Sequence, residues 1–309
     1  MERTRRRIGR WRVAGLLCVA AASALAQPGP EPALRKERMG WSSLTMQASK
    51  LGVSMESTLS QEIVATAQAR ADLVSPPPGN VAVEPGGGAI VRMEVRTSFL
   101  GRDSKTLFWL DADDGRALQW TVVETGKRER FKESRAIEGG VWVLRKNPLD
   151  RSEEGQPLEK WTRVRDGIEP VTGLPPGKVL SEAAGLLYVL ATSPLDAVGD
   201  RIEVYMESDG KAFPVSIRVE ALERLDVDYR RTGGADAGRI DRKSTALRLS
   251  MRPLVPAGMD RRDFKFMSLE GDIDVWLDRE GRYPLRIEGR VKWVGKVRIQ
   301  LASVTLVGS

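Results

Sequence analysis

Apolar and polar residues alternate with a period of two in six separate stretches of the chain. Val91, Met93 and Val95 are interleaved with Arg92, Glu94 and Arg96, and Ile202, Val204 and Met206 with Glu203, Tyr205 and Glu207. The same rhythm carries Phe213, Val215, Ile217 and Val219, then Leu247, Leu249 and Met251, then Ile273, Val275 and Leu277, and last Val297, Ile299 and Leu301. Successive side chains of a strand point to opposite faces. The rhythm therefore predicts strands with one face on a core and one toward water, as in antiparallel sheets. Asp114-Gly115, Asp209-Gly210 and Glu280-Gly281 fall where hairpins need turns, because glycine accepts the positive φ that a tight turn requires.

One helix is predicted. Ser181 is placed to cap it, Glu182 lies in its first turn, and Ala183, Leu186, Leu187 and Leu190 follow helical spacing up to Pro194. Between Leu44 and Ala71 two readings stay open: Thr58, Ile63, Val64 and Thr66 favour strand, while the alanines permit helix. Breaks rich in proline and glycine fall at Gln27 to Pro32, Pro76 to Gly88 and Lys146 to Lys178, and a fourth break, without proline, at Arg231 to Ser244. The expected fold class is mainly β: a curved antiparallel sheet, half-barrel or barrel-like, with one or two packed helices. The expected layout is a flexible tether at 27–36 and a single β-rich domain at 37–309. That domain has two halves, 37–145 and 179–309, joined by a loop-rich segment at 146–178.

The N-terminus changes where this domain is expected to work. An arginine-dense head, Met1 to Trp11, precedes the apolar run Val13 to Ala22 and the small-x-small exit Ala24-Leu25-Ala26. Those three parts make a secretory signal, residues 1–26, cleaved after Ala26. The run is shorter than the roughly 20 apolar residues of a spanning helix, so no transmembrane span is expected in the mature chain. Thr4-Arg5-Arg6-Arg7-Ile8 also matches a twin-arginine signal in part, and the export route stays open. The expected location is periplasmic.

Charge and chemistry follow from that cut. The whole chain has 49 basic and 42 acidic residues. Six arginines and one glutamate lie in the signal, so the mature chain keeps 43 and 41. A nearly neutral chain without a Lys/Arg block is not expected to bind nucleic acid. Histidine is absent and the one cysteine, Cys18, lies in the signal. Triads that need imidazole, thiolate chemistry and Cys/His metal sites are thereby excluded, and no cofactor or metal is expected.

Carboxylates remain as candidate chemistry. Asp272 and Asp274 share a strand face about 7 Å apart, and Asp278 lies further along it. They read either as a hydrolase pair or as a charge ladder against Arg286, Glu288, Arg290 and Lys292 of the next strand. The cluster Asp111, Asp113 and Asp114 reads as turn aspartates, since Gly115 breaks the EF-hand pattern. Candidate ligand-binding residues are Trp276, which falls on the polar side of its strand, with Arg286, Arg290 and Lys292. With Lys296 and Arg298 these cations form either a patch for anionic headgroups or an acidic partner, or an ordinary soluble face.

Two segments repeat a pattern: Trp109-Leu110-Asp111 through Gly115-Arg116, and Trp276-Leu277-Asp278 through Gly281-Arg282. Each reads as a hairpin in which the aspartate accepts turn N–H groups and the glycine takes positive φ. The second, ending in Pro284-Leu285-Arg286-Ile287, is similar to a hairpin of half-barrel proteins of the bacterial lipoprotein-localisation type. Residues 181–306 resemble an exported proteobacterial family filed as a domain of unknown function. The resemblance rests on Ala184-Gly185-Leu186-Leu187-Tyr188-Val189-Leu190, Pro194-Leu195, Val198-Gly199-Asp200, Asp209-Gly210-Lys211, Val219, Glu223, Val275 to Asp278 and Tyr283 to Ile287. It implies an envelope location and an all-β half-barrel or barrel with a packed helix, and it implies no established activity. The functional expectation is a non-catalytic periplasmic binding or envelope-assembly protein that holds a lipidic ligand or a protein partner on a curved sheet. The alternative is a carboxylate-dependent hydrolase of envelope polysaccharide.

Overall fold

A computed structural model describes residues 34–308, apart from 51, 52, 100, 127, 128, 209, 257 and 293. The expected signal at 1–26, most of the expected tether, Asp209 and Trp293 lie outside the described residues. The strands are β1 (Trp41–Lys50), β2 (Val53–Ala65), β3 (Ala89–Phe99), β4 (Arg102–Asp111), β5 (Ala117–Gly126), β6 (Arg130–Ile137), β7 (Gly140–Asn147) and β8 (Arg163–Pro170). After the helix come β9 (Arg201–Ser208), β10 (Lys211–Thr232), β11 (Gly238–Pro253), β12 (Lys265–Phe266), β13 (Leu269–Asp278), β14 (Pro284–Val291) and β15 (Gly295–Leu306). The helices are α1 (Thr66–Ala69) and α2 (Gly185–Thr192). All six alternating runs are strands.

The strands form one 15-stranded sheet in the order β8-β7-β6-β5-β4-β3-β2-β1-β15-β14-β13-β11-β10-β9, with β12 added at β13. Its pairings are antiparallel except where Arg230–Thr232 of β10 lies parallel to Ser303–Thr305 of β15. That contact bends the sheet back on itself in its C-terminal part. At the far side, Thr172 pairs with Lys211 and Leu180 with Tyr205, so the two ends of the strand order approach each other. The sheet is therefore curved and ring-like.

Its inner face holds a core in which β1, β4, β10, β11, β13, β14 and β15 all take part, together with every residue of α2. The helix is fully buried. Leu110 of β4 packs on Gly185, and Val189 packs on Gly115 of the β4–β5 turn.

Three expectations are corrected. The helix begins at Gly185 without a side-chain cap, because the Ser181 hydroxyl instead donates to the Gly115 carbonyl at 3.3 Å. The loop-rich segment 146–178 also contains β8, which pairs with β7 along its length. The Arg231 to Ser244 break is mostly strand, because β11 starts at Gly238. The end of the tether is docked, with Leu34 against the core and the Arg35 N–H on the Thr192 carbonyl at 3.0 Å. The open segment from Leu44 to Ala71 resolves mainly as strand, with α1 a single turn.

Candidate functional site

The two Trp-Leu-Asp hairpins are the same turn, and both hold α2. In each, the aspartate N–H donates to the carbonyl five residues on (Arg116, 3.0 Å; Tyr283, 2.8 Å), and its carbonyl accepts from the N–H four residues on (Gly115, 2.9 Å; Arg282, 3.1 Å). The position four residues on takes positive φ, which is 73° for Gly115 and 56° for Arg282. The glycine reading is thus corrected in the second copy, where Arg282 occupies the left-handed position. Gly281 serves another purpose: a Cβ there would lie 2.1 Å from the Tyr283 ring.

A non-glycine residue in this region costs about 1–3 kcal/mol, and Arg282 makes contacts that offset the cost. Its side chain is 3 % exposed. It donates to the carbonyls of Leu190 (2.9 Å), Ala191 (3.1 Å), Ser193 (3.0 Å) and Leu195 (2.9 Å). The Leu190 and Ala191 carbonyls are orphan acceptors of the α2 C-terminus, where a cation also meets the negative end of the dipole, and Ser193 and Leu195 follow in the segment that leaves it. Burial and the neighbouring Arg38 pull its pKa down to about 10, with Asp196 at 3.7 Å acting against them. It therefore stays charged at neutral pH. From the first copy, the Tyr188 hydroxyl donates to Ala112 at 2.6 Å.

The outer face carries the candidate groove. Register partners share a face, and one row crosses six strands: Glu56, Gln47, Gln300, Arg286, Trp276 and Arg248. A bulge in β10 between Val219 and Ala221 decides what covers this row. Before it, Val215, Ile217 and Val219 face the core with Leu249 and Met251. After it, Ala221 pairs with Arg248, so Glu223, Leu225, Val227 and Tyr229 fall on the Trp276 side. The arm formed by the distal halves of β10 and β11 thereby roofs the row and reaches β15. Between arm and sheet lies an open groove of about 1350 Å³.

The groove walls are charged. Arg239 grips Asp228 with two bonds (2.9 and 2.8 Å) on the roof. On the sheet, Glu288 binds Lys296 (2.9 Å) and Arg298 (2.8 Å). Burial would raise the Glu288 carboxyl, but the hydrogen bonds and charges of those two cations hold it below its usual range. Gln47 donates to Glu56 at 2.7 Å, and Met55, Val227 and Leu301 add apolar surface.

The expected ligand residues divide. Trp276 is 8 % exposed and lies next to Arg248 in the row, with its indole N–H on Glu223 at 2.8 Å and Arg286 stacked over its ring at 5.5 Å. Arg290 lies further along β14 from Arg286, opposite Lys296, and like Lys292 just past that strand it is exposed. The cations do not form a uniform patch, because Glu288 lies among them.

Asp272 and Asp274 share one guanidinium, and Asp278 is engaged in its own turn. Arg252 of β11 holds both Asp274 (2.6 Å) and Asp272 (3.7 Å), while Asp274 faces Glu288 across the hairpin. Asp278 accepts from the turn N–H groups of Glu280 (3.1 Å) and Gly281 (2.7 Å) and from Ser244 (3.1 Å). Asp111 likewise accepts from Gly86 (2.6 Å) and Asp113 (2.8 Å). Among the described residues no group of three His, Cys, Asp or Glu side chains is placed to hold a metal, and no helix is long and apolar enough to cross a membrane.

Sequence reasoning missed Arg282, Glu223 and Arg135. The last is a β6 side chain that donates to Leu118 (2.7 Å), Val83 (2.9 Å) and Val74 (3.2 Å) and so pins the proline- and glycine-rich break to the sheet. Only Arg282 left a signal, its spacing of four from an aspartate that aligns with Asp111. Comparison with known proteins adds no relative: no family model, no curated protein and no solved structure matches the chain.

Proposed function

We propose that this chain is a non-catalytic binding or assembly protein of the cell envelope, and that the groove under the β10–β11 arm takes an extended polypeptide segment of a partner. The observation that carries the reading is the division of the two faces. The inner face packs against α2, all eight residues of which are buried, whereas the outer groove is open and lined by both signs of charge. Mixed charge with interspersed apolar contacts suits main-chain and side-chain groups of a peptide better than a lipid tail. The envelope location rests on the basic head, short apolar run and Ala24-Leu25-Ala26 exit of the N-terminus.

The mature chain is expected to lack cysteine, so Gln300→Cys provides one attachment point in the groove. Labelled there with a photoreactive maleimide and irradiated in envelope extract, the protein should form polypeptide adducts. Those adducts should disappear when Arg239→Glu reverses the opposite wall in a variant that keeps its circular dichroism. Adducts with lipid alone, or adducts indifferent to Arg239→Glu, refute the reading.

A further inference from the structure

Among the described residues, β8 is the end strand with the unbroken run of open edge positions, from Val164 to Ile168. The edge of β9 is met at Tyr205, which accepts from the Ser181 N–H at 2.8 Å. β8 pairs with β7 on one side, and all its residues except Glu169 are exposed. Just beyond β8, the Val171 N–H donates to Gly139 on the β7 side, while the Thr172 N–H and carbonyl bond to Gly210 and Ala212 on the other. Main-chain groups alternate sides along a strand, so Val164, Asp166 and Ile168 aim theirs outward. Pro170, which has no N–H to offer, falls in the same outward set, where an edge tolerates proline.

We propose that β8 pairs with β8 of a second copy of this chain, antiparallel about Asp166, to join two sheets into one across a two-fold axis. The occupant is identified by self-complementarity. In this register Val164 meets the second copy's Ile168 twice, and the two side chains are 49 % and 51 % exposed in the single chain. Arg163 meets Glu169 twice, in the closer, non-hydrogen-bonded type of pair. Every hydrogen-bonded pair falls on the outward set, giving about six main-chain bonds. Shifting the axis by one residue in either direction breaks the match of Val164 with Ile168. An interface built this way is isologous and closes at two subunits. One mismatch remains: Asp166 lies opposite its own copy, and like charges directly opposed weaken a sheet.

That mismatch supplies the test, which uses the purified mature chain without any envelope partner and so stands apart from the groove reading. In sedimentation velocity over a concentration series, the wild type should form a weak, reversible dimer. Asp166→Asn should tighten it about fivefold by removing the opposed charges, and Ile168→Lys should abolish it. Both substitutions sit on exposed positions, and circular dichroism checks that the fold persists. A chain that stays monomeric even as Asp166→Asn, or a dimer indifferent to both changes, overturns the proposal. β8 amides protected from hydrogen exchange only in the presence of envelope extract would assign the edge to a different chain and also overturn it.

Discussion

Glu182 shows how one side chain links the fold to pH. It is half-buried just before α2, and burial pushes its pKa from 4.5 up to about 7. A bond from the Ala183 N–H opposes the rise and the Glu207 carboxylate adds to it. The folded chain thus keeps a proton that the unfolded chain releases, and stability must fall as pH rises from about 4.5 to about 7. Glu182→Gln removes that loss. In urea titrations the variant should match the wild type near pH 4.5 and exceed it at pH 8 by up to about 3 kcal/mol. A difference independent of pH would refute the assignment. Nothing in the sequence marked this residue for titration: Glu182 read as a first-turn helix acid, and its environment depends on β9 arriving from elsewhere. Arg135 was hidden for the same reason, because its partners lie 17 to 61 residues away.

At the level of elements, the period-two runs were legible because burial on one face imposes their rhythm. β8 was not, because an edge strand with both faces exposed has no such rhythm to display. The β10 bulge was invisible for a subtler reason. Odd positions from Phe213 to Tyr229 are apolar with the single exception of Glu223, so the pattern hardly falters while the face it serves changes. The helix was legible in its apolar residues but not in its ends, which are satisfied by distant groups rather than by a local cap. Arg282 is the test of that statement. Arg282→Ala should destabilise the chain by about 2–4 kcal/mol, since it takes the side-chain donor from the Leu190, Ala191 and Leu195 carbonyls and leaves Ser193 only Arg38. Arg282→Gly should cost about 1 kcal/mol less than alanine, because glycine relieves the left-handed backbone. Urea denaturation that finds alanine and glycine equal would show that the positive φ carries no strain.

Across the whole molecule, the first and last strands are neighbours, and one core draws on both halves and the helix between them. Unfolding one half exposes the face of the other, so the two should be lost together. Tryptophan fluorescence is weighted to the first half, which holds Trp41, Trp109, Trp120 and Trp142 against Trp276 and Trp293 in the second, while far-ultraviolet circular dichroism reports on the entire sheet. The two signals should give superimposable urea transitions, and separated midpoints would divide the chain into independent units. The candidate groove was the least legible feature at this scale. Its walls take Gln47 and Glu56, Asp228 and Arg239, and Glu288 and Gln300 from stretches scattered over nearly the whole length of the sequence, and only the fold brings them together.

The pairing of β1 with β15 also governs the order of events as the polypeptide is made. The first strand to emerge from the ribosome has to wait for the last, and α2 is complete some ninety residues before the guanidinium that seals its C-terminus exists. Contacts of such long sequence separation fold slowly, because the entropy of closing the intervening loop is lost before any contact compensates it. Until residue 306 is free, the nascent chain carries open strand edges and a greasy, unhoused helix. It spends its early life as a substrate for whatever holds unfinished proteins apart.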